Sequence, residues 1–371
     1  LDSSNNLVWE LTYSFSAQTY PLKIATNGNQ VVVVGSLYTT PTKALFVSCT
    51  SSGSNVFSKT DTSSADYTLS AVAIDSTSIW TGDTIGIVSK YDLAGSFIAS
   101  RKYATSYGSL NIYDIAIDSS GNGYICGSEA VANSGLYGFV RKLDSSLTDL
   151  GSCVLAVSPI HYAACALDPA GRYLYAVVSS TTTQAYALKL DTASVSPAAI
   201  SIVTNNTASS LDPMSVAVDA TQVYWGFFTA LIAQPTTLGG IIVISDLNLS
   251  VINNSYYILY PDGSSTTYSN STQVGGIFAG TDFVSMSILN TSRNTAGIIK
   301  LPKDGSFNGS IKGYIPSSVS TITVSSFVGS FSDGAGLATT SIASSAAFSA
   351  TQVNVSTPMS VISGLGVTLL Q

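Results

Sequence analysis

Two segments decide the reading of this chain: Asp114-Ile-Ala-Ile-Asp118-Ser-Ser-Gly-Asn-Gly-Tyr-Ile-Cys-Gly127, and, a short way on, Phe139-Val-Arg-Lys-Leu-Asp144. A short apolar strand ends in Asp118, a polar Ser-Ser-Gly-Asn turn reverses the chain, and an aromatic and β-branched strand follows. A third strand then runs into a Lys-Leu-Asp turn. Apolar residues alternate or run short, and Gly, Asn, Ser and Asp punctuate them, which is the pattern of hairpin-connected strands rather than of helices. The same block recurs as Ala71-Val-Ala-Ile-Asp75 with Lys90-Tyr-Asp92, as Ala164-Cys-Ala-Leu-Asp168 with Lys189-Leu-Asp191, and as Ser215-Val-Ala-Val-Asp219 with Ile242-Val-Ile-Ser-Asp246. Successive aspartates stand 43, 50 and 51 residues apart, the length of one four-stranded unit.

Weaker copies flank these four, beginning at Ile24-Ala-Thr-Asn27 and at Gly276-Ile-Phe-Ala279. Six blades are thereby expected, at about residues 20–63, 67–106, 110–157, 160–204, 212–260 and 272–316. The remaining segments, 1–16 and 317–371, contain strand-like stretches at Leu7–Tyr13, Ile322–Val328, Leu337–Ala343 and Phe348–Val355. Three strands from one end and one from the other would make a seventh blade and leave no open sheet edge. The expectation is therefore an all-β propeller of seven blades closed by its N- and C-terminal strands. Six blades with a C-terminal extension is the alternative. The propeller is drawn over 1–357 and an apolar tail over 358–371.

The turn at Asp118 to Gly127, with Val140-Arg-Lys-Leu-Asp144 and the strand Leu7-Val-Trp9-Glu-Leu-Thr-Tyr13, resembles the repeats of the secreted beta-propeller family. The resemblance extends over about 315 residues and is good in four blades and poor after Gln273. It implies a propeller in an exported or surface protein that acts as a scaffold or binding module, and it brings no catalytic residues.

Composition narrows the function. The 371 residues are 45 % hydrophobic but only 9 % charged, against roughly 25 % in an ordinary soluble protein. A mean hydropathy of +0.34 excludes a disordered chain. The longest apolar run, Val223 to Ala233, is too short for a membrane-spanning helix. Fourteen Lys and Arg against 21 Asp and Glu give a net charge of −7 and no basic patch for a row of phosphates, which argues against nucleic acid as a partner. The chain opens at Leu1 without a methionine and is read as a processed, mature form.

Seven Asn-x-Ser/Thr triplets, at Asn205, Asn248, Asn253, Asn270, Asn290, Asn308 and Asn354, are the candidate N-glycosylation sites of an extracellular protein. Such triplets also arise by chance in a Ser/Thr-rich chain. Cys49, Cys126, Cys153 and Cys165 allow two disulfides in three connectivities, with Cys153–Cys165 the favoured pair, or serve as small core residues. No metal site is expected from one histidine and no Cys-x-x-Cys, and no cofactor fingerprint occurs.

Catalytic motifs are equally missing: no nucleophile elbow, no His-Glu-x-x-His, no calcium loop. His161 is read as structural. Asp75, Asp118, Asp168 and Asp219 could form an arc on one face that holds a cation or sugar, but the preferred reading has each carboxylate capping its own turn. Trp9, Trp80 and Trp225 are read as core rather than as a glycan-stacking surface, and the lysines before the Lys-Leu-Asp turns as solvated strand ends.

The expected function is a non-enzymatic extracellular glycoprotein, a structural or adhesive subunit of a fibre, sheath or surface layer that associates with itself through low-charge surfaces. The alternative is a secreted carbohydrate-binding or carbohydrate-active propeller with a site at the central channel. The apolar end, Thr357 to Gln371, either caps its own ring or adds as a strand to a neighbour.

Overall fold

The computed structural model describes residues 12–14, 17–60, 68–105, 108–131, 135–155, 160–180, 184–205, 208–231, 238–250, 252–259, 272–290 and 295–303, together with seven short strands between 315 and 370. Among the described residues every regular element is a β-strand. After β1 (Thr12–Ser14), blade 1 contains β2 (Gln18–Thr26), β3 (Gln30–Tyr38), β4 (Lys43–Thr50) and β5 (Asn55–Thr60). Blade 2 contains β6 (Leu69–Ile74), β7 (Ser78–Asp83), β8 (Ile87–Asp92) and β9 (Phe97–Thr105). Blade 3 contains β10 (Gly108–Ile117), β11 (Gly123–Val131), β12 (Gly135–Leu143) and β13 (Asp149–Leu155). Blade 4 contains β14 (Ile160–Leu167), β15 (Tyr173–Ser180), β16 (Gln184–Asp191) and β17 (Ser196–Asn205), and blade 5 contains β18 (Ala208–Val218), β19 (Gln222–Leu231), β20 (Leu238–Asp246) and β21 (Ile252–Leu259). Blade 6 begins with β22 (Thr272–Ala279), β23 (Phe283–Asn290) and β24 (Thr295–Pro302). Each is an antiparallel meander in chain order.

There are six blades, not seven. The C-terminal strands β25 (Ile315–Ser318), β26 (Ile322–Ser326), β27 (Phe331–Ser332), β28 (Ala338–Ser341), β29 (Thr351–Val353), β30 (Ser360–Ile362) and β31 (Val367–Leu370) do not assemble into a sheet of their own. Instead β25 pairs with β21, β26 with β17 and β28 with β9, each as a fifth strand on the edge of an existing blade. The N-terminal β1 does meet a C-terminal strand, β29, but the two form a separate ribbon. The physical reason lies in the edges. A fourth strand leaves a row of unpaired donors and acceptors, and a Ser/Thr-rich strand laid along it satisfies them without needing a complete apolar face. Blade 6 takes its outer strand from β31, which continues into β30.

The chain divides into two compact units, 1–155 with 332–358 and 156–331 with 359–371. In the first, strand alternation sends Val72, Ile79 and Tyr91 of blade 2 against Val32, Val34, Phe46 and Phe57 of blade 1. The alternate residues Ala71, Ala73, Trp80 and Val88 pack on Ile112, Ile125, Phe139 and Leu147 of blade 3. In the second unit, Tyr175 and Val177 of blade 4 meet Val223, Trp225, Phe227 and Val243 of blade 5. Blade 2 is therefore buried on both faces, its alternate residues packing on blade 1 and on blade 3. Trp80 and Trp225 are fully buried, as expected of core residues, and their indole N–H groups donate to Ser78 and Ser245. Trp9 lies outside the described residues.

The expected Cys153–Cys165 bridge is not formed: all four cysteines are buried thiols. Cys126 and Cys153 both sit opposite Val140, on the strands to either side of it, while Cys165 belongs to the sheet of blade 4. Each occupies a core position that calls for a small apolar side chain.

Candidate functional site

The first strands of successive blades run beside one another, β2 by β6 and β6 by β10 in one unit, β14 by β18 and β18 by β22 in the other. Every one carries a β-bulge, at Leu22, Ser70, Tyr113, His161–Tyr162, Met214 and Gly275–Gly276. The extra residue re-aims the side chains that follow. In the first unit it brings Lys23 of blade 1 to within 3.3 Å of Asp114 of blade 3, across the intervening blade 2. The bulges also explain the glycine of the repeat. At Gly35 and Gly127 the bulged strand's carbonyl, from Tyr20 and Asn111, occupies the space a Cβ would need, at 2.0 and 1.8 Å. At Gly82 and Gly226 the next blade's Ile112 and Ile277 fill it instead.

The repeated aspartates cap their own turns. Asp75 accepts from the amides of Thr77 and Ser78, Asp118 from those of Ser120 and Asn122, Asp168 from that of Tyr173, and Asp219 from those of Thr221 and Gln222. Asn27 does the same in blade 1, accepting from Asn29 and Gln30. Burial alone would raise the carboxyls of Asp75, Asp118 and Asp219. At all three the donated hydrogen bonds outweigh it and hold the groups below the ordinary carboxylate range. At Asp219 the Lys303 ammonium adds to these donors and lowers the carboxyl further, while the Tyr224 hydroxyl donates to it as that of Tyr124 does to Asp118.

A second set, Asp92, Asp144, Asp191 and Asp246, caps the turn between the third and fourth strands. Three of these turns place a bulky residue in the left-handed region: Leu147 (φ 63°), Val195 (φ 53°) and Leu249 (φ 57°). Leu147 and Leu249 are buried pegs between blades. The neighbouring blade clasps the same turns. Tyr103 donates to the Leu147 carbonyl, Tyr175 to that of Leu247, and Ser201 to that of Leu249. Desolvation raises the phenol of Tyr175 to about 12.

The lysines of the Lys-Leu-Asp turns correct the expectation of solvated strand ends. Lys90 lies over the Trp80 ring and donates to the Ser145 carbonyl of blade 3. Lys189, only 9 % exposed, lies over Tyr173 and reaches Asn248 of blade 5. A long apolar stem with a charged head suits a place where an aromatic face and a turn carbonyl meet.

Two charged features were not anticipated. Arg141 is 1 % exposed and pairs with Glu129 at 2.7 Å and Asp149 at 3.3 Å, across three adjacent strands. Its place was signalled by alternation, since Arg141 shares a face with Phe139 and Leu143. Asp83, also 1 % exposed, accepts from the amides of Ile85 and Ile87, and desolvation pushes its carboxyl up to about 6. A cleft of about 400 Å³ lies between the turns of blades 1 and 2 and is lined by Asn27, Asn29, Gln30, Thr50, Asp75 and Leu93. Its amide and carboxyl groups are engaged: Asn27 also donates to the Asp75 carbonyl, and Gln30 to Ser48 and the Leu93 carbonyl. Such a lining can hydrogen-bond a hydroxylated ligand but offers no general base above its ordinary carboxylate range.

Among the described residues no three His, Cys, Asp or Glu side chains are placed to hold a metal ion. His161 lies on β14 at its bulge. Of the glycosylation candidates, Asn248 stands exposed on the turn between β20 and β21. Asn205, Asn253 and Asn290 lie on β17, β21 and β23, and Asn270, Asn308 and Asn354 fall outside the described residues.

No protein-family model matches this chain, and no curated protein sequence does. Among solved structures it is similar to the Dos1 propeller at 12 % identity and a TM-score of 0.45, over 78 % of this chain and 70 % of that one.

Proposed function

We propose that the six blades close into a propeller ring and that the chain is a non-enzymatic, secreted glycoprotein, copies of which pack into a fibre, sheath or surface layer. The supporting observation is where the charge goes. The repeated aspartates are committed to turns, Lys90 and Lys189 to neighbouring blades, and Arg141 to a buried triad. What stands exposed on fourth strands includes large apolar side chains, Ile98 (52 %) on β9 and Leu150 (53 %) on β13. Such a surface can be covered by another protein with little desolvation of charge. Uncharged hydroxyls and glycans, on exposed turns such as that of Asn248, would keep the subunit in solution before assembly.

Sedimentation and negative-stain imaging of native material test this reading. Ordered polymers are expected, and a lone 38.3-kDa particle at all concentrations overturns it. The polar cleft beside Asn27 and Asp75 favours a second reading, a secreted carbohydrate-binding module. Saturable binding of an oligosaccharide that Asn29→Ala abolishes would establish that reading instead.

A further inference from the structure

Blade 6 differs from the other five in the source of its outer strand. Blades 1 to 5 each take four strands from one continuous stretch, whereas β22, β23 and β24 are completed by β31, from far along the chain. The hold is short. Among the described residues β24 pairs with β23 through eight residues, from Phe283↔Pro302 to Asn290↔Thr295, but with β31 through three: Ala296↔Leu370, Gly297↔Leu369 and Ile298↔Thr368. The corresponding outer strands of blades 4 and 5 are registered over eight and seven residues. The segment 360–371, Ser-Val-Ile-Ser-Gly-Leu-Gly-Val-Thr-Leu-Leu-Gln, contains no charged residue and no proline, so it can pair with any compatible edge without desolvating a charge.

We infer that the β24 edge of blade 6 is the joint between copies: in the assembled state it receives β31 of a second copy of this chain, in the same antiparallel register. This rests on the self-association proposed above. The argument is one of equal ladders. A strand supplied by a neighbour makes the same backbone hydrogen bonds and the same side-chain contacts as the chain's own strand, so only effective concentration separates the two arrangements. A three-residue ladder gives the chain's own strand little hold, and crowding of copies in a fibre or layer shifts the balance to exchange. Each copy both donates a β31 and offers a β24, a head-to-tail relation that propagates. In blades 4 and 5 the chain's own fourth strands, β17 and β21, are held over eight and seven residues and are themselves edged by β26 and β25.

Two single variants of the full chain, Ile298→Cys and Thr368→Cys, are mixed under denaturing, reducing conditions, refolded and assembled together, then oxidised. Each variant has one half of the register pair, so a disulfide between positions 298 and 368 must join two chains. The expected result is a disulfide-linked dimer in the mixture that neither variant forms alone, with peptide mapping placing the bridge at 298–368. Assembly without that dimer, with the double variant bridging only within one chain, overturns the inference and leaves self-association standing. Failure of the unmodified chain to assemble at all overturns both.

Discussion

Leu147 sets two physical effects against each other. Its backbone is left-handed at φ 63°, where a side chain is disfavoured and glycine is not, and blade 2 has Gly95 (φ 79°) in the corresponding turn. On backbone grounds alone, Leu147→Gly should stabilise, since a left-handed non-glycine residue carries about 1–2 kcal/mol of strain. Against this, the side chain is completely buried in the cluster with Trp80 and Tyr103. Removing a buried leucine side chain costs about 3–5 kcal/mol, including the cavity. Glycine's extra freedom in the unfolded chain takes back a further half to one kcal/mol or so. Burial wins, and the net expectation is a loss of about 3 kcal/mol. With a urea dependence of about 3 kcal/mol per molar for a chain of this size, the unfolding midpoint should fall by about 1 M. An unchanged or raised midpoint would refute the idea that these turns work as apolar pegs. Leu147→Asn, which tolerates the left-handed backbone but lacks the apolar body, should behave like the glycine variant.

Asp83→Asn keeps an oxygen acceptor for the Ile85 and Ile87 amides and removes the buried charge. Because the folded carboxyl titrates near 6 rather than 3.8, the native chain binds a proton more readily folded than unfolded, and loses stability as pH rises between those values. The variant should match the native chain below that window and exceed it above by up to about 3 kcal/mol, read from urea melts at several pH values. Asp219 works in the opposite sense: its depressed carboxyl contributes stability above the unfolded value of 3.8 that is lost as pH falls, so Lys303→Met should begin acid unfolding at a higher pH than the native chain. Gly127→Ala, whose Cβ would meet the Asn111 carbonyl, should lower the thermal midpoint clearly more than Gly226→Ala, whose Cβ meets side-chain atoms alone, of Ile277 and Met286. Glycopeptide mass spectrometry of native material should find a glycan on Asn248, and Asn248→Gln should remove that mass without changing the fold.

Much of the site chemistry was open to reading along the chain, for a local reason. An aspartate two to five residues before the amides it accepts from is a short-range device, so Asp75, Asp118, Asp168 and Asp219 could be assigned to turns from spacing alone. The pairing of lysines with a neighbouring blade could not, because Lys90 and Ser145, or Lys189 and Asn248, are joined by packing between repeats. The bulges on the first strands were likewise hidden, since an extra residue is defined only against its partner strand.

The amino-acid sequence by itself determined the repeating unit: where each blade starts, which residues turn the chain, and that Trp80 and Trp225 are core. These follow from periodicity and turn chemistry within some fifty residues. Tertiary structure alone decided that the blades number six, that the C-terminal strands go one by one to distant edges, that the cysteines stay thiols, and that Arg141 and Asp83 are buried. The reason is that a Ser/Thr/Val strand matches many edges almost equally well, and its choice among them is set by which edge the folded blades leave open and within reach.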